Sequence, residues 1–314
     1  MENRGDETAD REIGKCAAIL ATVEVGLGSV FHSLHVPTSG HWLSLNQAFW
    51  LSRLTFKSGK SGRSRTAPMA ASNVTACLKS LSPAGKRLSP MLAISAQGAL
   101  FNTGTLLLGG NVAGASLGGV LLSVWAFIHP VVIYYLIFGR TLIVAYTKLF
   151  KKCQAIFHFS SAQALHAIVL IVAAKAVLAV ATVLLARWLP QSQVDRYQER
   201  VAGIARRSAA PVGSFEPPAR VPAGAAARGA LHDLLHPLFL ISLGLTAVFF
   251  LWSENSHAAL IWGLLRPLAI GFILFFGIRM LPVEPILDWM EVHGFSRFAS
   301  ALRFAKTELL KNRH

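Results

Sequence analysis

The sequence predicts an all-α, polytopic membrane protein: a bundle of five or six helices followed by a C-terminal transmembrane hairpin. Three observations carry this. From Leu88 to Gly139 the chain runs 52 residues without Asp, Glu, Lys or Arg, too long and too apolar for the core of a soluble domain. Hydrophobic residues are 53% and charged ones 14% of 314 residues, against about 25% charged in an average soluble domain, so lipid replaces water over much of the surface. The basic residues fall between apolar runs, at Arg53, Lys57, Lys60, Arg63 and Arg65 and again at Arg140, Lys148, Lys151 and Lys152. That placement suits membrane faces and anionic headgroups. A net charge of +15 would suggest nucleic acid in a soluble chain; here lipid is the expected partner and nucleic acid is not.

Residues 1–12 read as a polar tail. Glu2, Asp6, Glu7, Asp10 and Glu12 replace the basic region of a signal peptide, so the N-terminus is expected on the cytoplasmic side, in a bacterial inner membrane. Residues 13–189 form the expected bundle. Its first span covers about Ile13 to Phe31, and the polar turn from His35 to His41 leads into Leu43 to Phe56, a tilted span or a re-entrant helix. After a Ser/Gly/basic loop, Ala67 to Leu81 is a weak helix. If it stays on the cytoplasmic side, both basic clusters lie inside; if it crosses, the second lies outside. Met91 to Leu108 and Val112 to Phe138 are the clear pair, turning at Gly109-Gly110-Asn111. Gly110, Gly114 and Gly118, four apart, permit close helix packing. Arg140 to Phe159 reads as an interfacial amphipathic helix, and Leu165 to Leu189 spans again with Lys175 near its middle.

Residues 190–230 change character, rich in Ala, Pro and Arg with few large apolar side chains, and read as a disordered linker. Residues 231–281 are the expected transmembrane hairpin, interrupted at Arg266-Pro267, and residues 282–314 an amphipathic C-terminal helix. Cys16, Cys77 and Cys153 are odd in number and widely spaced, which favours small apolar fillers over a disulfide framework.

Polar groups beside hydrocarbon are costly unless paired, so their clusters mark candidate sites. The densest set is Glu24, His32, His35, Thr38, Ser39, His41, Ser44, Asn46 and Gln47. It reads as a solvated headgroup loop, as a small-molecule site, or, on the weaker signal of His32, His35 and His41, as a metal site. Glu24, well inside a span, must be neutral, paired or facing a water-filled space. Lys175 and Arg266 are its candidate partners, with Arg266 the more structural of the two. Ser95 and Asn102 share a helix face while Gln97 points elsewhere. Trp125 lies four residues before His129, where an indole can stack on a planar ligand. There is no Walker lysine loop, no H-E-x-x-H, no G-x-S-x-G and no carboxylate pair at a useful spacing. An enzyme is therefore not expected, and no cofactor or resident metal is assigned.

Taken together, Glu24-Val-Gly-Leu-Gly-Ser29, Pro37-Thr-Ser-Gly-His41 running into Leu43-Ser-Leu-Asn-Gln47, and Leu108-Gly-Gly-Asn111 before Gly114-Ala-Ser-Leu-Gly-Gly119 resemble the substrate-binding membrane subunits (S components) of energy-coupling factor transporters, over about residues 13–189. The resemblance implies a six-helix bundle that binds a vitamin-like solute or a metal ion near its outer face and docks on a transmembrane coupling subunit driven by two ATPases. It implies docking through small residues four apart on the first helix, which Ala17 and Ala21 match. It also makes residues 35–44 a gating loop. The linker and terminal hairpin depart from the family pattern. On this reading Glu24, His35, His41, Asn46 and Gln47 line the site, and Gln97, Asn102 and Trp125 contribute from facing helices. A membrane-embedded assembly subunit and a His-dependent membrane enzyme remain the alternatives.

Overall fold

The computed structural model describes residues 10–24, 39–60, 66–80, 88–208, 222–235, 237–252, 257–280 and 300–305. Every regular element among the described residues is a helix. In order they are α1 (residues 10–24), α2 (Ser39–Lys60), α3 (Ala67–Ser80), α4 (Leu88–Leu108), α5 (Val112–Phe138), α6 (Arg140–Phe157), α7 (Ser161–Trp188), α8 (Gln191–Ser208), α9 (Ala223–Leu234), α10 (Pro237–Trp252) and α11 (His257–Met280), with a further helical turn at 300–305. Among the described residues four helices are long and apolar enough to cross a membrane, over Pro90–Leu108, Val112–Ile133, Ser161–Trp188 and Leu260–Gly277. Leu165, Ile168, Val169, Leu170, Val177 and Leu178 on α7 are all exposed, Leu170 at 72%. Such a surface is at home in lipid and a liability in water.

The chain divides into two compact units. The first comprises Met1–Phe127, Val172–Pro217 and Val283–His314. Here α1 and α2 run antiparallel, with Glu12 Oε2 at 3.1 Å from Lys57 Nζ and the Cys16 thiol 3.8 Å from the Trp50 carbonyl. The third helix runs in the direction of α1: Thr75 Oγ1 donates to the Ala17 carbonyl at 3.3 Å, and Lys79 Nζ to the Glu24 carbonyl at 2.6 Å. Packing is close because the facing residues are small. Ala17, Ala21, Ala71 and Ser72 are fully buried, and a methyl at Gly98 of α4 would fall on the Ser72 side chain.

A tight hairpin joins α4 to α5. Gly109 takes φ +86°, a conformation that an L side chain rarely adopts. Asn111 caps the new helix, its Oδ1 accepting from the Gly114 N–H at 3.0 Å while its Nδ2 donates to the Leu108 carbonyl at 2.9 Å, which satisfies backbone groups the hairpin would leave open. Gly104, Gly114 and Gly118 then let the two backbones meet: a methyl at Gly104 would overlap the backbone of Gly118, and one at Gly118 the carbonyl of Phe101. Gly119 faces α7, 3.1 Å from Val183 by the same construction. Gly110 is exposed in the turn and is not part of this interface, contrary to the spacing argument; four-residue spacing counted from the turn includes one residue that precedes the helix.

The second unit comprises Ile128–Ile171 and Pro218–Pro282. Its α11 packs against α9 and α10. Asp233 and Arg279 join α9 to α11, with Arg279 Nη2 2.9 Å from Asp233 Oδ2 and Nε at 3.2 Å from the same oxygen.

Several expectations are corrected. The segment read as a linker, 190–230, is helical over Gln191–Ser208 and from Ala223 onward. In α8, Val194 is buried and Tyr197 stacks on Trp50 with ring centroids 6.3 Å apart. In α9, Ala226, Ala230 and Leu234 form a buried stripe. A small-residue stripe like that of α9 packs without large side chains, and α8, held among its described residues at Val194 and Tyr197, is helical while mostly exposed, so composition alone misjudges both. The interruption at Arg266-Pro267 is absent, because α11 continues through Pro267; one proline removes one amide donor and does not end a helix by itself. Of the expected gating loop at 35–44, residues 39–44 belong to α2, and the rest lie outside the described residues, as does most of the expected amphipathic helix at 282–314.

Candidate functional site

The polar residues that the sequence singled out fall in the first unit. Glu24 sits at the end of α1 and is buried. Its charged neighbour is Lys79 of α3, buried too, whose ammonium donates to the Glu24 backbone carbonyl. Neither Lys175 nor Arg266 takes that place. Lys79 has little prominence in the sequence because α3 is short and weakly apolar; its one signal is that Glu24 and Lys79 each stand as isolated charges near the ends of apolar runs.

Lys175 turns to His41 instead. Its Nζ lies 2.5 Å from His41 Nδ1 and 5.0 Å from the centroid of the Phe127 ring, and His41 and Phe127 pack at 4.4 Å. Helix directions place Glu24, His41 and Lys79 at one end of the unit, because α1 ends, α2 begins and α3 ends there. Lys175 joins them through His41.

Uncharged polar side chains are also buried between these helices. Gln47 Nε2 donates to Ser72 Oγ at 3.0 Å and to the Ile94 carbonyl at 3.1 Å, joining α2, α3 and α4. Gln97 and Asn102 are buried on α4 and Ser123 on α5. Among the described residues Gln47 Oε1, Asn102 Oδ1 and Ser123 Oγ have no hydrogen-bond partner. Buried polar atoms are seldom left this way, because the loss of hydration is uncompensated. Trp125 is half-buried on α5.

Not every expected residue converges here. Asn46 faces α8, where its Oδ1 accepts from the Tyr197 hydroxyl at 3.5 Å, away from the side on which Gln47 meets α3 and α4. Ala17 and Ala21 are 0% exposed inside the unit, so they present no docking face; they are the small residues that admit α3. His32 and His35 lie outside the described residues. No group of three His, Cys, Asp or Glu able to hold a metal ion occurs among the described residues.

Compared with protein-family models, curated proteins and solved structures, the chain matches none.

Proposed function

We propose that this protein is the membrane-embedded solute-binding subunit of a small-solute transporter, working with a transmembrane coupling subunit and ATPases that it does not itself encode. In this reading α1 to α5 and α7 are the six bundle helices. Gln47, Gln97, Asn102 and Trp125 line the site, and Glu24, His41, Lys79 and Lys175 close its end. The observation that supports it is the open hydrogen-bonding capacity of Gln47 Oε1, Asn102 Oδ1 and Ser123 Oγ inside a helical unit. Lipid offers no partner for such atoms, and intramembrane polar groups of this kind mark substrate paths. A polar solute would satisfy them on binding and restore them to water on release.

The test is native mass spectrometry of the full chain purified in lipid nanodiscs. The wild type should carry a small molecule that Gln47→Leu and Asn102→Leu shed while keeping their fold. A wild-type spectrum showing only protein and lipid, or variants that retain the molecule at full occupancy, would sink the reading.

A further inference from the structure

The interior of the first unit is short of negative charge. From Val25 to Val194 the sequence holds no Asp or Glu, so helices α2 through α7 supply no carboxylate of their own, and among the described residues Glu24 is the carboxylate at α1's inner end. Glu12 is taken up at the opposite end of α1, beside Lys57 and Lys15. Among the described residues two Lys ammonium groups are buried, those of Lys79 and Lys175. Lys79 donates to the Glu24 backbone carbonyl and has that residue's carboxylate as its charged neighbour. Lys175, only 7% exposed, makes no ion pair among the described residues; a neutral ring and a benzene face are its neighbours.

The His41 contact adds a donor. An ammonium has hydrogens to give and no lone pair, so His41 Nδ1 must accept from it. The ring proton then sits on Nε2, leaving a second N–H beside the same uncompensated cation. Taken as ions, Glu24, Lys79 and Lys175 sum to one excess positive charge, which a monoanion neutralises, and the Phe127 face beside Lys175 and His41 suits a carboxylate carried on an apolar body, which inorganic phosphate lacks. We infer that the solute is a small monoanion whose carboxylate is held by Lys175 and His41, with its apolar part against Phe127. This rests on the solute-binding reading and specifies its substrate class.

The full-length protein in detergent is titrated with radiolabelled benzoate, with benzamide as the neutral isostere and inorganic phosphate as competitors. Benzoate should bind saturably, benzamide at least about tenfold more weakly, and phosphate should not displace it. Lys175→Arg should retain benzoate and Lys175→Met lose it, both eluting as folded monodisperse protein. Should Lys175→Met not fold, His41→Phe, which keeps the ring and removes both nitrogens, must weaken benzoate by a similar factor. Equal competition by benzamide, displacement by phosphate, or full binding by either charge- or nitrogen-deleting variant overturns the inference. If benzoate fails to bind while native spectra show a retained neutral or cationic molecule, the carboxylate assignment falls and the solute-binding reading stands. If neither benzoate nor any retained molecule is found, both fall.

Discussion

Arg53 of α2 donates from Nη1 to the carbonyl of Leu189, just past the end of α7, at 2.7 Å. The same nitrogen reaches the Ala186 carbonyl at 3.0 Å, and Nη2 meets Gln191 Oε1 at 2.6 Å. The last carbonyls of a helix have no partner within it and carry its negative dipole end, so a guanidinium fork both caps α7 and fixes where α8 starts. The basic cluster that reads from sequence as headgroup contact thus contains one residue with a structural task.

Arg53→Leu should therefore destabilise the unit by about 1–2 kcal/mol, the value of charge-assisted hydrogen bonds discounted for partial exposure. Arg53→Lys should behave more like the leucine variant than the wild type, since one ammonium cannot reach three acceptors held in different directions. Thermal unfolding in detergent measures both, and a lysine variant as stable as the wild type would remove the capping role.

At the α4–α5 hairpin a single methyl is decisive. Gly104→Ala and Gly118→Ala each put a Cβ into backbone that has no side chain to move aside, so each should cost about 1–3 kcal/mol or more and shift the protein toward aggregation on size exclusion. Gly244→Ala in α10 meets nothing within 4 Å and should instead stabilise by about 0.5–1 kcal/mol through helix propensity. Opposite signs for the same substitution separate steric packing from propensity.

Gln47 and Ser72 should couple. Replacing Gln47 by Leu strands the Ser72 hydroxyl in the interior, while the double variant Gln47→Leu, Ser72→Ala removes both partners. The interaction energy from the double-mutant cycle should be about 1 kcal/mol in unfolding free energy, and a value near zero would mean that Gln47 is held by the Ile94 carbonyl alone.

What the sequence reveals follows from how each element solves its burial. The α4 and α5 spans and α7 are legible because their lipid-facing sides must be apolar, and Leu106, Leu107 and Val177 say so directly. The glycines at 114 and 118 are legible because backbone proximity has few alternatives to glycine. By contrast, α3 buries Ser72 and Thr75, α8 hangs on Val194 and Tyr197, and α9 on two alanines and a leucine; when neighbouring protein replaces lipid, the hydropathy signal fades. The pairing of Lys175 with His41 joins residues 134 apart, a choice of partner that depends on helix register, which local pattern does not encode. Ala17 and Ala21 show the converse: small residues four apart indicate a close helix contact without saying whether the other helix belongs to the same chain.

Asp233 and Arg279 make the corresponding tie in the second unit. Asp233→Asn keeps the shape and removes the charge, so α9 should loosen from α11 by about 1–3 kcal/mol, seen as faster hydrogen exchange over Ala223–Leu234. Gly229→Ala is the informative companion, because its methyl would meet the Arg279 guanidinium at 2.5 Å. That side chain can swing away, so Gly229→Ala should weaken the pair less than Asp233→Asn does.

The path of α3 bears on the number of crossings. Because Thr75 meets Ala17 and Lys79 meets Glu24, α3 advances in the direction of α1; Gln47, in the first half of α2, meets Ile94, in the first third of α4, which fits α4 running in the direction of α2. Lys57 and Glu12 then mark the end at which the N-terminus lies, together with Thr66 and the α4–α5 turn, while Gly40 lies at the other. In a background with Cys16, Cys77 and Cys153 replaced by Ala, cysteines at exposed Thr66 and Gly110 should react with a membrane-impermeant maleimide only after the cytoplasmic face is opened. A cysteine at Gly40 should react in intact cells, as the positive-inside tendency expects from the basic residues Arg53, Lys57, Lys60, Arg63 and Arg65. Labelling of Gly110 from outside with Thr66 protected would mean that α3 does not cross, and would leave five helices in the bundle rather than six.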